Sequence, residues 1–102
     1  MGEVTTIEGP FFNSETSGTE WLILRDFLVS QLLGKQITTA GEIPALFSAI
    51  RGHEMARAAL ENALGDIEAQ QNNLPPAKLL GGTRTEIDCG VSIGLQSTPE
   101  VF

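Results

Sequence analysis

Between Thr83 and Gln96 side-chain character alternates residue by residue, with Thr83, Thr85, Ile87, Cys89, Val91, Ile93 and Leu95 on the odd positions and mostly polar residues or glycine between them. A period of two puts the odd positions on one face of an extended chain, so the pattern predicts one long β-strand over about 83–96 with an apolar face. This constrains the fold strongly, because a strand's N–H and C=O groups project sideways and need a partner. The only other β-like run is the short Val4-Thr5-Thr6-Ile7. The long strand is therefore expected to pair with another chain or with the N-terminal segment.

The rest reads as helix and turn, which makes the expected fold class α+β. A small three-helix body, with helices over about 17–33, 42–51 and 53–71, carries a short N-terminal extended arm and a long C-terminal β-strand arm. The divisions are an arm over 1–16, a helical body over 17–73, a Pro/Gly linker over 74–82 and the strand arm over 83–102.

Ser17-Gly18-Thr19-Glu20 has capping-box spacing, in which Ser17 accepts from a free backbone N–H and Glu20 reaches back. The helix it starts carries Trp21, Leu22, Ile23, Leu24, Phe27, Leu28, Val29, Leu32 and Leu33 around most of its circumference and stops at Gly34. A helix apolar nearly all round is expected to be buried nearly all round, and two short helices can hardly wrap it. Part of that surface, Trp21 included, is assigned to another subunit.

In the second helix Pro44 sits in the first turn, where its missing N–H costs nothing, and Ile43, Leu46, Phe47 and Ile50 form a core-facing stripe. Gly52 marks a break before the third helix, whose buried set is Met55, Ala56, Ala59, Leu60, Ala63, Leu64 and Ile67. Asn72-Asn73-Leu74-Pro75-Pro76 ends it and is expected to run on as a stiff polyproline-like spacer, with Gly81-Gly82 as a hinge. At about 3.3 Å per residue the strand arm would reach ~46 Å, further than a small helical body is wide. Phe11-Phe12, next to the Gly9-Pro10 break, and Phe102 at the chain end are apolar anchors for docking, on this chain's own body or on a neighbour.

Composition narrows the function. A hydrophobic fraction of 41% with mean hydropathy +0.04 suffices for a packed core within 102 residues. Six basic residues against thirteen acidic ones give a net charge of −7, which repels nucleic-acid phosphates and anionic membrane surfaces. No direct nucleic-acid or membrane partner is expected. The N-terminus lacks the basic and apolar regions of a signal peptide, and the greasy stretch from Trp21 to Leu33 is interrupted by Arg25, Asp26, Ser30 and Gln31. The expectation is a soluble protein, cytoplasmic or virion-associated.

Reactive groups are sparse. One cysteine excludes an internal disulfide and any CxxC site. His53, the single histidine, sits at a helix start, and Cys89 falls on the apolar strand face, where a buried inert thiol is expected. Glu54, Glu61 and Glu68 recur at seven-residue spacing beside His53, but Arg57 between them fits a solvated helix face with ion pairs better than a metal site. Gly81-Gly82-Thr83 lacks the lysine and spacing of a P-loop. No cofactor, metal or catalytic set is expected, and the chain reads as a non-enzyme.

The resulting expectation is a structural or assembly subunit of a larger complex, with other protein subunits, self or hetero, as partners. A bacteriophage virion component such as a capsid, decoration or head-to-tail joining protein is the favoured instance, by analogy of architecture alone. A small acidic regulator that binds one protein target is the alternative. The expected contact residues are Phe11, Phe12, Trp21, Ile87, Cys89, Val91, Ile93, Leu95 and Phe102.

Overall fold

The computed structural model describes residues 1–95, 97 and 98. The first helix begins one residue earlier than the Ser17 box implies. Thr16 is the N-cap of α1 (Ser17–Ile23): its Oγ1 accepts from the Thr19 N–H at 3.2 Å, while Thr19 Oγ1 accepts from the Thr16 N–H at 2.9 Å. Ser17 is thereby free to hold the preceding arm, its N–H donating to the Ile7 carbonyl and its hydroxyl to the Thr6 carbonyl. The shift also releases Glu20 from capping and turns it inward.

The helical backbone continues through a π-helical turn, Leu24–Leu28, into α2 (Val29–Leu32). The Val29 N–H donates to the Leu24 carbonyl, a five-residue step that widens the turn. Leu28 in this turn is fully buried, whereas Trp21, Leu22, Phe27 and Leu33 lie open. The expected all-round burial does not occur within this chain. After Gly34 a connector leads to a 3-10 turn, Ala40–Glu42, and the short α3 (Ile43–Leu46). Glu42 Oε1 accepts from the Thr38 and Thr39 N–H groups, both at 2.9 Å, which anchors this start. Pro44 lies in the first turn of α3, and Ile43 and Phe47 are buried, as the stripe implies.

α4 (Glu54–Gln71) is the long helix, with Ala56, Ala59 and Ala69 buried. Their small side chains let other segments approach its backbone: a Cβ added to Gly2 would stand 1.8 Å from the Ala59 carbonyl oxygen, so only glycine fits where the arm crosses. Asn73, with φ 54°, ends α4 in a Schellman arrangement, the Leu74 N–H donating to Ala69 and the Asn73 N–H to Gln70. The expected polyproline spacer is instead a helical turn, α5 (Pro76–Leu79). Pro76 supplies the N-terminal φ of a helix without losing a needed N–H.

The core is the meeting of Leu28, Ile43, Phe47 and Ala56, ringed by Ile23, Leu24, Leu32, Leu46, Ile50, Leu60 and Leu64. The arm lies across α4 with Gly2, Val4 and Thr6 half-buried and their neighbours exposed, an extended course without a ladder.

The α+β expectation does not hold. Among the described residues there is no strand, and 83–95 forms an exposed tail, while Gln96 and Phe102 lie outside the described residues. The alternating pattern is real, but a ladder requires a second segment to receive its hydrogen bonds, and no strand is formed among the described residues. The radius of gyration, 17.4 Å, exceeds the ~13 Å of a compact chain this long. The accessible surface of 8103 Å² likewise exceeds the ~5600 Å² of a compact protein of this mass.

Candidate functional site

Three acidic side chains cap backbone N–H groups, Glu42 locally and Glu68 and Glu15 from a distance. Glu42 holds the 3-10 turn, Glu68 Oε2 accepts from the Ala40 N–H at 2.8 Å, and Glu15 closes the N-terminus of α4. Glu15 Oε1 accepts from the Glu54 N–H at 2.8 Å and Oε2 from the Met55 N–H at 3.0 Å. These N–H groups have no partner within the helix, and the helix dipole favours a carboxylate there.

The cap is needed because His53, at the N-cap position, caps nothing. Its backbone is left-handed, φ 54° and ψ 46°, following Gly52 at φ 68°. Histidine adopts this region rarely, at a cost of about 1–2 kcal/mol. The conformation brings its Nδ1 to 3.4 Å from Glu20 Oε1. Glu20 is 1% exposed, and its Oε2 is buried with no hydrogen-bond partner. Burial pushes the Glu20 carboxyl above the usual glutamate range and the Glu15 charge adds to this, while the His53 contact pulls it back. The arm, α1 and α4 thus meet on two carboxylates and one imidazole.

The other shifted acids lie nearer the surface, Asp26 exposed and Asp66 half-buried. The N-terminal amine and Gln70 hold Asp66 below the usual carboxylate range, and Arg25, with Nη2 2.8 Å from Oδ2, does the same for Asp26. Near Asp66 a recess of about 300 Å³ between α4 and α5 is lined by Met1, Glu61, Gly65, Pro76 and Leu80.

The residues expected as contacts are open to solvent. Phe11 and Phe12 are each 91% exposed, Trp21 65%, and Ile87, Cys89, Val91, Ile93 and Leu95 are all exposed. Phe102 lies outside the described residues. Cys89 is therefore not the buried thiol expected; its Sγ faces the Ile87 carbonyl at 3.7 Å, whereas His53 faces Glu20. Of the acids considered with His53, Glu54 pairs with Arg57 at 3.1 Å and Glu68 caps Ala40. Among the described residues no group of three or more His, Cys, Asp or Glu side chains is placed to hold a metal ion. No helix among them is long and apolar enough to cross a membrane.

Reading the sequence missed Glu15 and Glu20. Glu15 carries no local signal, because its partners are 39 and 40 residues away. For Glu20 a signal existed: Thr16 and Thr19 offer a second capping box one residue upstream of the first.

Comparison with known proteins then places the chain. The family model described as "Mandelate racemase / muconate lactonizing enzyme, N-terminal domain" matches residues 1–81. An o-succinylbenzoate synthase from Geobacillus kaustophilus is 43% identical over 97 residues, covering 95% of this chain and 26% of that protein. An N-succinylamino acid racemase from Amycolatopsis is 36% identical over 97 residues, with the same coverage. A crystal structure of an enolase-superfamily member from Listeria innocua superposes with a TM-score of 0.88 at 39% identity, covering 98% of this chain and 27% of that one. The chain thus spans about a quarter of the length of these relatives. These matches overturn the non-enzyme expectation in both its forms, virion assembly subunit and acidic regulator: the relatives are enzymes.

Proposed function

Because the chain belongs to the mandelate racemase / muconate lactonizing enzyme N-terminal domain family, we propose that it is part of an o-succinylbenzoate synthase and supplies packing surface to that enzyme rather than the reacting groups. The 43% identity to the Geobacillus synthase over 95% of the chain carries the proposal. The absence of a metal-binding acidic group among the described residues supports the division of labour. Enolase-superfamily sites use a Lys or His base with one or two Mg²⁺ ions. Among the described residues the side chains do not fit such an ion.

The open apolar surface supports the packing role. Ile87, Val91, Ile93 and Leu95 alternate along the exposed tail, and Trp21, Leu22 and Phe27 are uncovered on the first helix. Burying apolar area is worth about 25 cal/mol per Å², so such surface has a strong tendency to be covered. The remaining three quarters of an enzyme like its relatives is a sufficient cover, and the tail strand would find its ladder there. On this reading the contact residues pack on protein within one enzyme.

The test is a chimera in which this chain replaces the matched 97 residues of the Geobacillus kaustophilus synthase. It is assayed for o-succinylbenzoate formation beside the same protein lacking those residues, and beside this chain alone. Activity in the chimera only is expected. A folded chimera that racemises N-succinylamino acids but makes no o-succinylbenzoate moves the assignment to the racemase relatives, and one with neither activity refutes the proposal.

A further inference from the structure

We propose that Glu15, Glu20 and His53 form a proton-operated latch that clamps the N-terminal arm and α1 onto the start of α4, closing more tightly when the cluster takes up a proton in mildly acidic solution. The inference rests on geometry independent of the enzyme assignment. Glu20 is 1% exposed, yet Oε2 has no partner, which leaves a buried acceptor whose desolvation nothing offsets. Its other oxygen meets His53 Nδ1 at 3.4 Å, a weak contact for a buried carboxylate. His53 makes that contact from a strained left-handed backbone, φ 54°.

Glu15 couples the pair to the fold. Its carboxylate is held by the Glu54 and Met55 N–H groups, so it stays beside Glu20. The charged groups acting on Glu20 are Glu15 from the arm and His53 from the turn ahead of α4. Glu54 and Arg57 at the start of α4 are paired with each other at 3.1 Å.

Glu20 and Glu15 place two carboxylates against each other at this contact. A proton taken up from solvent by Glu20 removes a buried charge and ends its repulsion with Glu15. Burial and Glu15 together raise the affinity of Glu20 for that proton. The three-element contact tightens as a result.

Carbon-13 labelling of the glutamate side chains in the full chain tests this, with the Glu20 carboxyl signal identified by its loss in Glu20→Gln. The expected result is that Glu20 titrates at higher pH than the exposed glutamates. Its midpoint should fall in Glu15→Gln, which removes a neighbouring charge, and rise in His53→Ala, which removes the hydrogen-bond partner. Amide exchange at Glu54 and Met55, corrected for intrinsic rate, should slow by up to about tenfold per unit of Glu20 shift between pH 8 and 5.5. That slowing should vanish in Glu20→Gln. A Glu20 signal that titrates with the other glutamates, in a folded or an unfolded chain, overturns the latch. So does exchange at Glu54 and Met55 whose pH response survives in Glu20→Gln.

Discussion

Replacing Glu15 by alanine removes a cap whose two partners lie 39 and 40 residues away in sequence, and the structure sets its size. Two backbone N–H groups, at 2.8 and 3.0 Å from the carboxylate, lose their acceptor at the start of an 18-residue helix. Cap removals cost about 0.5–2 kcal/mol, and the loss of a carboxylate at a helix N-terminus adds about 0.3–1 kcal/mol. The repulsion that Glu15 exerts on the buried Glu20 is relieved at the same time, which offsets part of the loss. A net destabilisation of about 2 kcal/mol follows, corresponding to a fall in thermal midpoint of roughly 8–16 °C for a domain of this size. Helix loss followed by circular dichroism on heating at neutral pH measures it. Glu15→Gln, which keeps one acceptor oxygen but no charge, should lose about half as much. A Glu15→Ala midpoint within about 2 °C of the parent refutes the remote cap.

Phe47→Ala, at a fully buried site in the centre of the core, should cost about 3–5 kcal/mol in denaturant unfolding. Ile93→Asp changes an exposed side chain, so the chain's own stability should move by less than about 0.5 kcal/mol, while the chimera loses activity or solubility. Gly2→Ala places a methyl against the Ala59 carbonyl, so the arm's first residues should lift and the Ala59 and Ala63 amide resonances shift. Glu20→Gln should raise the thermal midpoint at pH 7–8. A carboxyl whose proton affinity is raised by folding contributes stability that is fully present below its ordinary pKa and lost as pH rises through its folded value. Glutamine keeps the neutral form throughout, and a lower midpoint at pH 8 contradicts the sign.

The helical part of the fold was legible because its signals are local. Gly52 as a break, Pro44 in a first turn, the Asn72-Asn73 stop and the Ile43/Phe47 stripe depend on backbone sterics and on periodicities within a few residues. The error over 83–96 has the opposite cause. Alternation at Ile87, Val91, Ile93 and Leu95 is a property of the sequence, but a strand is a property of a pair, and no second strand is formed among the described residues. The family went unread for a related reason: relatives about four times as long carry the family's activities, and the matched quarter holds neither a metal group nor a nucleophile and base in contact among its described residues. The candidate latch was hidden because His53, Glu20 and Glu15 look like a helix-start residue, a capping partner and a scattered acid until the chain folds.

By itself, then, the sequence determined the breaks at Gly34 and Gly52, the stop at Asn72-Asn73 and the turn of Ile43 and Phe47 toward the core, since those follow from short-range sterics and the helical period, whereas the helix expected over 42–51 is only Ile43–Leu46 and the expected spacer holds a helical turn. Only the tertiary structure decided that Glu15 caps α4, that Glu20 is buried against His53 and that the alternating tail is left uncovered, because each depends on which distant groups are brought together.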